Sequence, residues 1–430
     1  MKTVQAFIMF LAMSGWAASA GADGRVYTID DAYRAALSAN ELVKLSEENV
    51  FQSEARIDQA WTYLYPRLIA QGEYTRFNEA LPRGGGAFLF QPNEQYLASL
   101  TLTQPLYTGG RTLAALHAAQ KMRETSSEDL SFIKQDMMMK VAEAYYGVLK
   151  AQKSVDISRR SLERMEHHKK TTEREAATRR SKANQSALLR ANSLVSQARI
   201  ALVRSQDGLK IAKEKLSLLT KLPVDAQLAE PSPLEQPADS LDSLQKAALS
   251  NRGDYASARM NKDIAEENVT IVRGAHYPQL AAVAGMQYQD SEPAIFTDAT
   301  TYYAGLRLTI PIFEGGLMKA EVSEARSKVR QAELSSGFLR QSIESDVQEA
   351  YVNLQTVISV LETAKLGMDY AIGNYDAVES LFSEGLLASL SLIDAEQALT
   401  FAERELMNAG YDRELAVLRL RKSVGLLGKE

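Results

Sequence analysis

The chain has 430 residues, 49 basic against 54 acidic, and a formal net charge of −5, so no basic excess points to nucleic acid. It contains no cysteine, which excludes disulfides and a lipid carried on an N-terminal cysteine. Aromatic residues make up only 7%, and the long stretches rich in Ala, Glu, Gln, Lys and Leu suit helices in bundles better than a thick globular core.

Residues 1–20 read as a signal peptide: Lys2 supplies charge, residues 7–16 an apolar run too short to span a bilayer, and Ala18-Ser19-Ala20 a small-residue cleavage pattern. No later apolar run has the length of a spanning helix. A chain placed in a membrane would therefore have to cross it with strands.

Residues 28–64 predict one helix that starts at Asp30-Asp31 and ends at Tyr65-Pro66. Beyond Pro66, Leu68, Ala70, Gly72 and Tyr74 alternate as a strand. The loop 76–95 carries Pro82, the run Gly84-Gly85-Gly86 and Pro92. With no Lys-Ser or Lys-Thr after the glycines and no helix opening there, this is a loop tip and not a phosphate cradle. A second alternating strand (Tyr96, Ala98, Leu100, Leu102) is stopped by Pro105 and Gly109-Gly110.

From 112 to 179 the pattern is helical. Val141, Val148, Val155 and Leu162 fall seven apart, with Ala144, Ala151, Ser158 and Met165 three places after each, an a/d seam with small residues at d. At 1.5 Å per residue such a helix is about 100 Å long. It breaks at Arg180-Ser181-Lys182 and returns over 182–219. Residues 222–239, with Pro223, Pro231, Pro233 and Pro237, read as a structured linker.

The chain then repeats itself. Residues 240–276 predict a helix ended by Tyr277-Pro278, and Leu280, Ala282, Ala284, Met286 and Tyr288 form a strand. After a loop at 290–301 with Pro293, residues 302–316 match 96–110 as Y-x-A-x-L-x-L-T-x-P-x-x-x-G-G, down to Pro311, Gly315 and Gly316. The offset of 206 holds into the next helix, where Val347, Leu354, Leu361 and Met368 form the a positions and Ala350, Val357, Ala364 and Ala371 the d positions. A return helix covers 389–427. The organisation is therefore a first structural repeat at 21–221, the linker, and a second repeat at 240–430.

Two strands per half make four, each of the 9 to 11 residues that cross a tilted bilayer path. Four strands cannot close, and lipid tolerates no open sheet edge, so other copies must complete the barrel. Two copies give eight strands and three give twelve, of which the larger leaves a useful lumen. Tyr65, Tyr74, Tyr96, Tyr107, Tyr277, Tyr288, Tyr302 and Phe313 at strand ends suit an interfacial girdle. Arg307, the single charge expected inside a strand, shares a face with Gly305 and Thr309 and would point into the lumen.

The signal, the paired Y-P-x-L and P-x-x-x-G-G elements and the heptad helices resemble the TolC-like outer-membrane efflux protein family over nearly the whole mature chain. The resemblance implies a mainly α protein with a membrane β-barrel: a homotrimer with a 12-stranded barrel in the outer membrane and a 12-helix tunnel in the periplasm. It implies an exit duct for drug efflux or type I secretion, with no cofactor. The implied partners are outer-membrane lipid, a periplasmic adaptor and an inner-membrane transporter of RND, ABC or MFS type. It also implies a periplasmic constriction at Asp394, with Ser391 where the family often has a second acid, and with Glu384 nearby. Adaptor-docking tips would lie at Arg180, Ser181 and Lys182 in the first half and at Gly385 and Leu386 in the second. In the first half the family's turn and acids are replaced, so docking there follows by position alone.

Other readings of these residues compete. Asp394 could serve only as a helix N-terminal acid. His167-His168 reads as a solvated helix face and Met137-Met138-Met139 as packing. Residues 159–182 carry a net charge of +5 and 363–386 a net of −3, which suggests that Arg180 or Lys182 pairs with Glu384 to hold the tunnel shut. No nucleophile, base and orienter set appears, so no enzyme is indicated. A periplasmic adaptor is the alternative function, but it would carry one hairpin flanked by β-domains. An exported filament would lack the strands.

Overall fold

The computed structural model describes residues 25–78, 93–178, 182–292, 299–384 and 386–428. In chain order these form β1 (Val26–Tyr27), α1 (Ile29–Ala39), α2 (Glu41–Thr62), β2 (Arg67–Arg76), β3 (Glu94–Tyr107), α3 (Arg111–Thr178) and α4 (Lys182–Thr220). They continue as β4 (Gln227–Leu228), α5 (Leu241–Asn251), α6 (Gly253–Gly274), β5 (Gln279–Glu292), β6 (Ala299–Thr309), α7 (Leu317–Ser383) and α8 (Ser389–Ser423). The long helices match the expected spans within a few residues. The residues read as a signal peptide, the glycine run 84–86, Pro82, Pro92, Pro293, Arg180, Ser181 and Gly385 lie outside the described residues.

The two leading helices differ from expectation, because each is a pair. Thr28 opens α1 with a capping box, its hydroxyl accepting from the Asp31 N–H while the Asp31 carboxylate accepts from the Thr28 N–H. The helix then stops at Asn40, whose backbone is extended (φ −73°, ψ 132°) and whose side chain accepts from the Leu42 N–H to start α2. In the second half Arg252 plays the breaking role, extended at φ −77° and ψ 121°, with its guanidinium 2.7 Å from Asp254 and 3.0 Å from Asp346 on α7. No proline marks either break, and Gly253, which opens α6 against the Glu128 carbonyl, is a lone glycine inside a helical pattern, which is why the periodicity ran through both.

Four strands pair antiparallel in the order β2-β3-β5-β6. Leu68 faces Leu102 in the first hairpin and Leu280 faces Leu308 in the second, so the hairpins share one register as well as one sequence motif. β3 and β5 are 14 residues each, longer than expected. Pro105 does not end β3, which continues to Tyr107 through a register shift that absorbs the missing N–H.

Below the sheet α3 packs against α2, α6, α4 and α8, and α7 against α6, α5 and α8. Two apolar cores sit at equivalent heights. Met137, Val141, Tyr145 and Val148 of α3 meet Val43, and Ile343, Val347 and Leu354 of α7 meet Leu244 and Val417. Met137 and Met139 are buried there and Met138 packs at the edge, as a packing role requires. Each fully buried Val or Leu contributes about 1.5 to 3 kcal/mol. The linker is tied down by a feature that its composition does not show: β4 pairs parallel with β1, and the Tyr145 hydroxyl lies 2.9 Å from the Tyr27 carbonyl and 2.6 Å from that of Ala229.

Candidate functional site

Register turns the sheet into two chemically distinct faces. Leu68, Ala70, Tyr74, Leu100, Leu102, Ala284, Met286, Leu306 and Leu308 fall on one face, and most of them are exposed. Gln71, Thr75, Ser99, Thr101, Thr103, Gln287, Tyr303 and Arg307 fall on the other, which is mainly polar although Ile69, Leu97, Ala281 and Val283 also lie on it. An apolar face open on the outside and a polar face inside is the pattern of a membrane barrel wall. Tyr74 and Tyr96 stack 4.9 Å apart near the loop end of the apolar face, as a girdle requires. Arg307 takes its expected place on the polar face. It is not the single charge inside a strand, however: Glu73 of β2, and Arg67 at the start of that strand, lie on the same face.

Both outer strands, β2 and β6, have one hydrogen-bonding edge without a strand partner among the described residues. At the base of the sheet the Gly pairs take positive φ, from 60° at Gly315 to 90° at Gly316. At Gly109 a Cβ would lie 2.4 Å from the Gly274 carbonyl oxygen and 2.8 Å from the Tyr277 Cβ, so glycine is what lets α3 start against the end of α6. Next to it His276 lies between Glu314 and Glu321, 3.1 Å from each carboxylate, and ties α6 to the start of α7.

At the far end of the helices α8 begins at Ser389, after Ala388, which offers no side-chain cap. Asp394 lies beyond the first turn, so it does not cap the helix; its side chain is exposed, with no partner among the described residues. Ser391 is half-buried, and Glu384 and Leu386 are exposed. Of the expected pairing with Glu384, Arg180 and the side chain of Lys182 lie outside the described residues, while Glu384 itself is exposed.

The basic stretch of α3 is used differently. Arg164 reaches across to α8, 3.3 Å from Glu396 and 3.2 Å from Glu403, and Arg160 lies 3.3 Å from Glu403. Glu396 is 3% exposed and also accepts from Ser161 at 2.7 Å and Thr400 at 2.8 Å. Tyr375 of α7 lies under the Arg164 guanidinium at 5.9 Å. One turn further His168 is buried, not solvated, with Nε2 2.9 Å from the Ser389 hydroxyl and the ring 5.3 Å from Phe382. Its Nδ1 has no partner among the described residues, and burial holds its pKa below the usual histidine value, with His167 beside it adding to the effect. Sequence reading missed this cluster because its members lie more than 200 positions apart. The surplus of basic residues was the one signal available.

The family model for outer membrane efflux proteins matches residues 32–220 and 244–426. Outer membrane protein TolC of Escherichia coli (strain K12) is 23% identical, over 100% of this chain and 88% of its own length. The alkaline protease secretion protein AprF of Pseudomonas aeruginosa is 26% identical, over 78% of this chain and 70% of its own. In fold, the chain is similar to the Campylobacter jejuni CmeC outer membrane channel, with a TM-score of 0.81 at 14% identity, covering 92% of this chain and 85% of that one.

Proposed function

The chain belongs to the outer membrane efflux protein family, and from that premise we propose that it is the trimeric exit duct of a tripartite efflux or type I secretion system. The observation that carries the reading is the four-stranded sheet with one apolar face, one polar face and two open edges. Twelve strands from three copies close such a sheet around a wet lumen. The hairpins α3–α4 and α7–α8 extend the wall into the periplasm, and their turns are the surfaces offered to an adaptor, which links the duct to an inner-membrane transporter. Relatives named for protease secretion and for pyoverdine export place both cargo classes within the family's range. The division into a signal peptide at 1–20, repeats at 21–221 and 240–430, and the linker between them is part of the same reading.

The duct itself needs no chemistry. Driving force comes from the transporter, and the protein supplies a continuous polar path past lipid. Purified protein reconstituted in a planar bilayer should conduct ions, and in mild detergent it should run as a trimer. A protein that stays monomeric and soluble in the periplasm without detergent overturns the proposal.

A further inference from the structure

A ring built from duplicated hairpins repeats its own junctions. The β2–β3 and β5–β6 hairpins have the same register, so each residue of β2 has its counterpart 212 places on in β5, as Leu68 has Leu280, and each residue of β3 has its counterpart 206 places on in β6, as Leu102 has Leu308. The β3–β5 junction, which lies inside the chain, is therefore the template for the β6–β2 junction between copies. In the template Thr101 faces Gly285. The counterpart of Thr101 is Arg307, and the counterpart of Gly285 is Glu73.

The geometry points to an inter-subunit seam in which Arg307 of one copy lies directly opposite Glu73 of the next, on the polar face of the barrel. This rests on the trimeric assembly proposed above. Two positions that are uncharged in the first junction thus carry opposite charges in the second. Among the described residues neither side chain has an ion-pair partner in its own chain; the Glu73 carboxylate accepts only from the Thr75 hydroxyl at 3.1 Å. Their neighbours on the same face, Gln71, Thr75, Gly305 and Thr309, are uncharged. Residues directly opposite in an antiparallel pair have Cβ atoms about 4.5 to 5.5 Å apart, within reach of an Arg–Glu contact.

The base of the sheet agrees. Gly109 is packed tightly against Gly274 and Tyr277 of the other half, whereas a Cβ on its counterpart Gly315 would meet nothing within 4 Å. The space beside Gly315 is where the seam brings the neighbour's copy of Tyr65, the counterpart of Tyr277. The charge pair has a specific use. A slip of one residue is already opposed, because it turns the apolar face into the lumen. A slip of two keeps the faces correct, and only a feature such as the Arg307–Glu73 contact opposes it.

The absence of native cysteine makes the test clean. In full-length protein in outer membranes, Glu73→Cys with Arg307→Cys should give a cross-linked trimer under oxidation, reversed by reductant. The register-shifted pairs Gln71→Cys with Arg307→Cys and Thr75→Cys with Arg307→Cys should give little. Independently, Glu73→Arg or Arg307→Glu alone should lower the temperature at which the trimer dissociates, and the two together should restore it. A trimer that cross-links at a shifted pair, or at none of the three, with no rescue in the charge swap, overturns the seam and leaves the assembly standing. A monomer in every variant and in the parent overturns the assembly itself.

Discussion

Arg164 of α3 and Glu396 of α8 lie 3.3 Å apart, and the carboxylate is almost wholly buried while its guanidinium partner also bonds Glu403. The pair joins the two halves of the chain where the helices approach the periplasmic tip. Glu396→Ala should leave Arg164 with one carboxylate in place of two and strand the Ser161 hydroxyl, at a cost of about 1 to 3 kcal/mol. Faster hydrogen exchange through residues 389–405 would register it. Arg164→Met combined with Glu396→Leu should recover much of the loss, because no buried charge is then left unpaired. Exchange no faster than in the parent would mean that the helices hold together without the network.

Gly285 and Tyr303 make a second such dependence, inside the barrel wall. A Cβ on Gly285 would come within 2.6 Å of the Tyr303 ring and 2.9 Å of the Leu100 carbonyl oxygen, and the ring spans the glycine to place its hydroxyl 3.3 Å from that of Thr101. Gly285→Ala should push the ring into the lumen and destabilise the sheet by about 1 to 3 kcal/mol. Lower single-channel conductance together with a lower trimer dissociation temperature would report both effects. Tyr303→Ser in the same chain should relieve most of them.

The duplicated frame was legible because it rests on local rules: alternation at Leu100 and Leu102, the Gly pairs at positive φ, and heptads whose Val141 and Val347 proved to be core centres. The helix breaks at Asn40 and Arg252 were not, since neither an Asn cap nor a lone Gly253 inside an amphipathic run carries a period of its own. The tip cluster was invisible for a different reason. His168 and Ser389 are strangers in sequence, and only the packing of α3 on α8 makes a histidine beside His167 a buried one. Glu73 was not legible in β2, because the alternation that marks the strand lies in Leu68, Ala70 and Tyr74 on the opposite face.

The burial of His168 has a pH consequence. Its folded pKa lies below the ordinary value near 6.5, so the unfolded chain binds the proton more readily. Its contribution to stability is complete above about pH 6.5 and is lost as pH falls through that range toward the lowered folded value. His168→Gln should flatten this part of the stability profile, while an amide can still meet the Ser389 hydroxyl. Denaturant midpoints measured from pH 8 to 5 provide the check; parallel profiles for parent and variant would remove His168 from the account.

Asp394 and Glu396 sit two residues apart and face opposite ways, one exposed and without a partner among the described residues, the other buried and bonded to α3. Only the first is free to act on ions in water. Asp394 lies past the first turn of α8, where the helix dipole has little hold on it. Asp394→Asn should therefore leave stability within about 0.5 kcal/mol of the parent. In a threefold ring, three such carboxylates would raise the local cation concentration at a narrow aqueous entrance. The same substitution should then move the reversal potential in a KCl gradient toward zero and weaken block by divalent cations. Ser391→Asp should do the reverse, because it adds a carboxylate three residues earlier, on the face of α8 that Asp394 occupies. If the reversal potential ignores both substitutions, Asp394 lies away from the conduction path and the entrance is not set by this turn of α8.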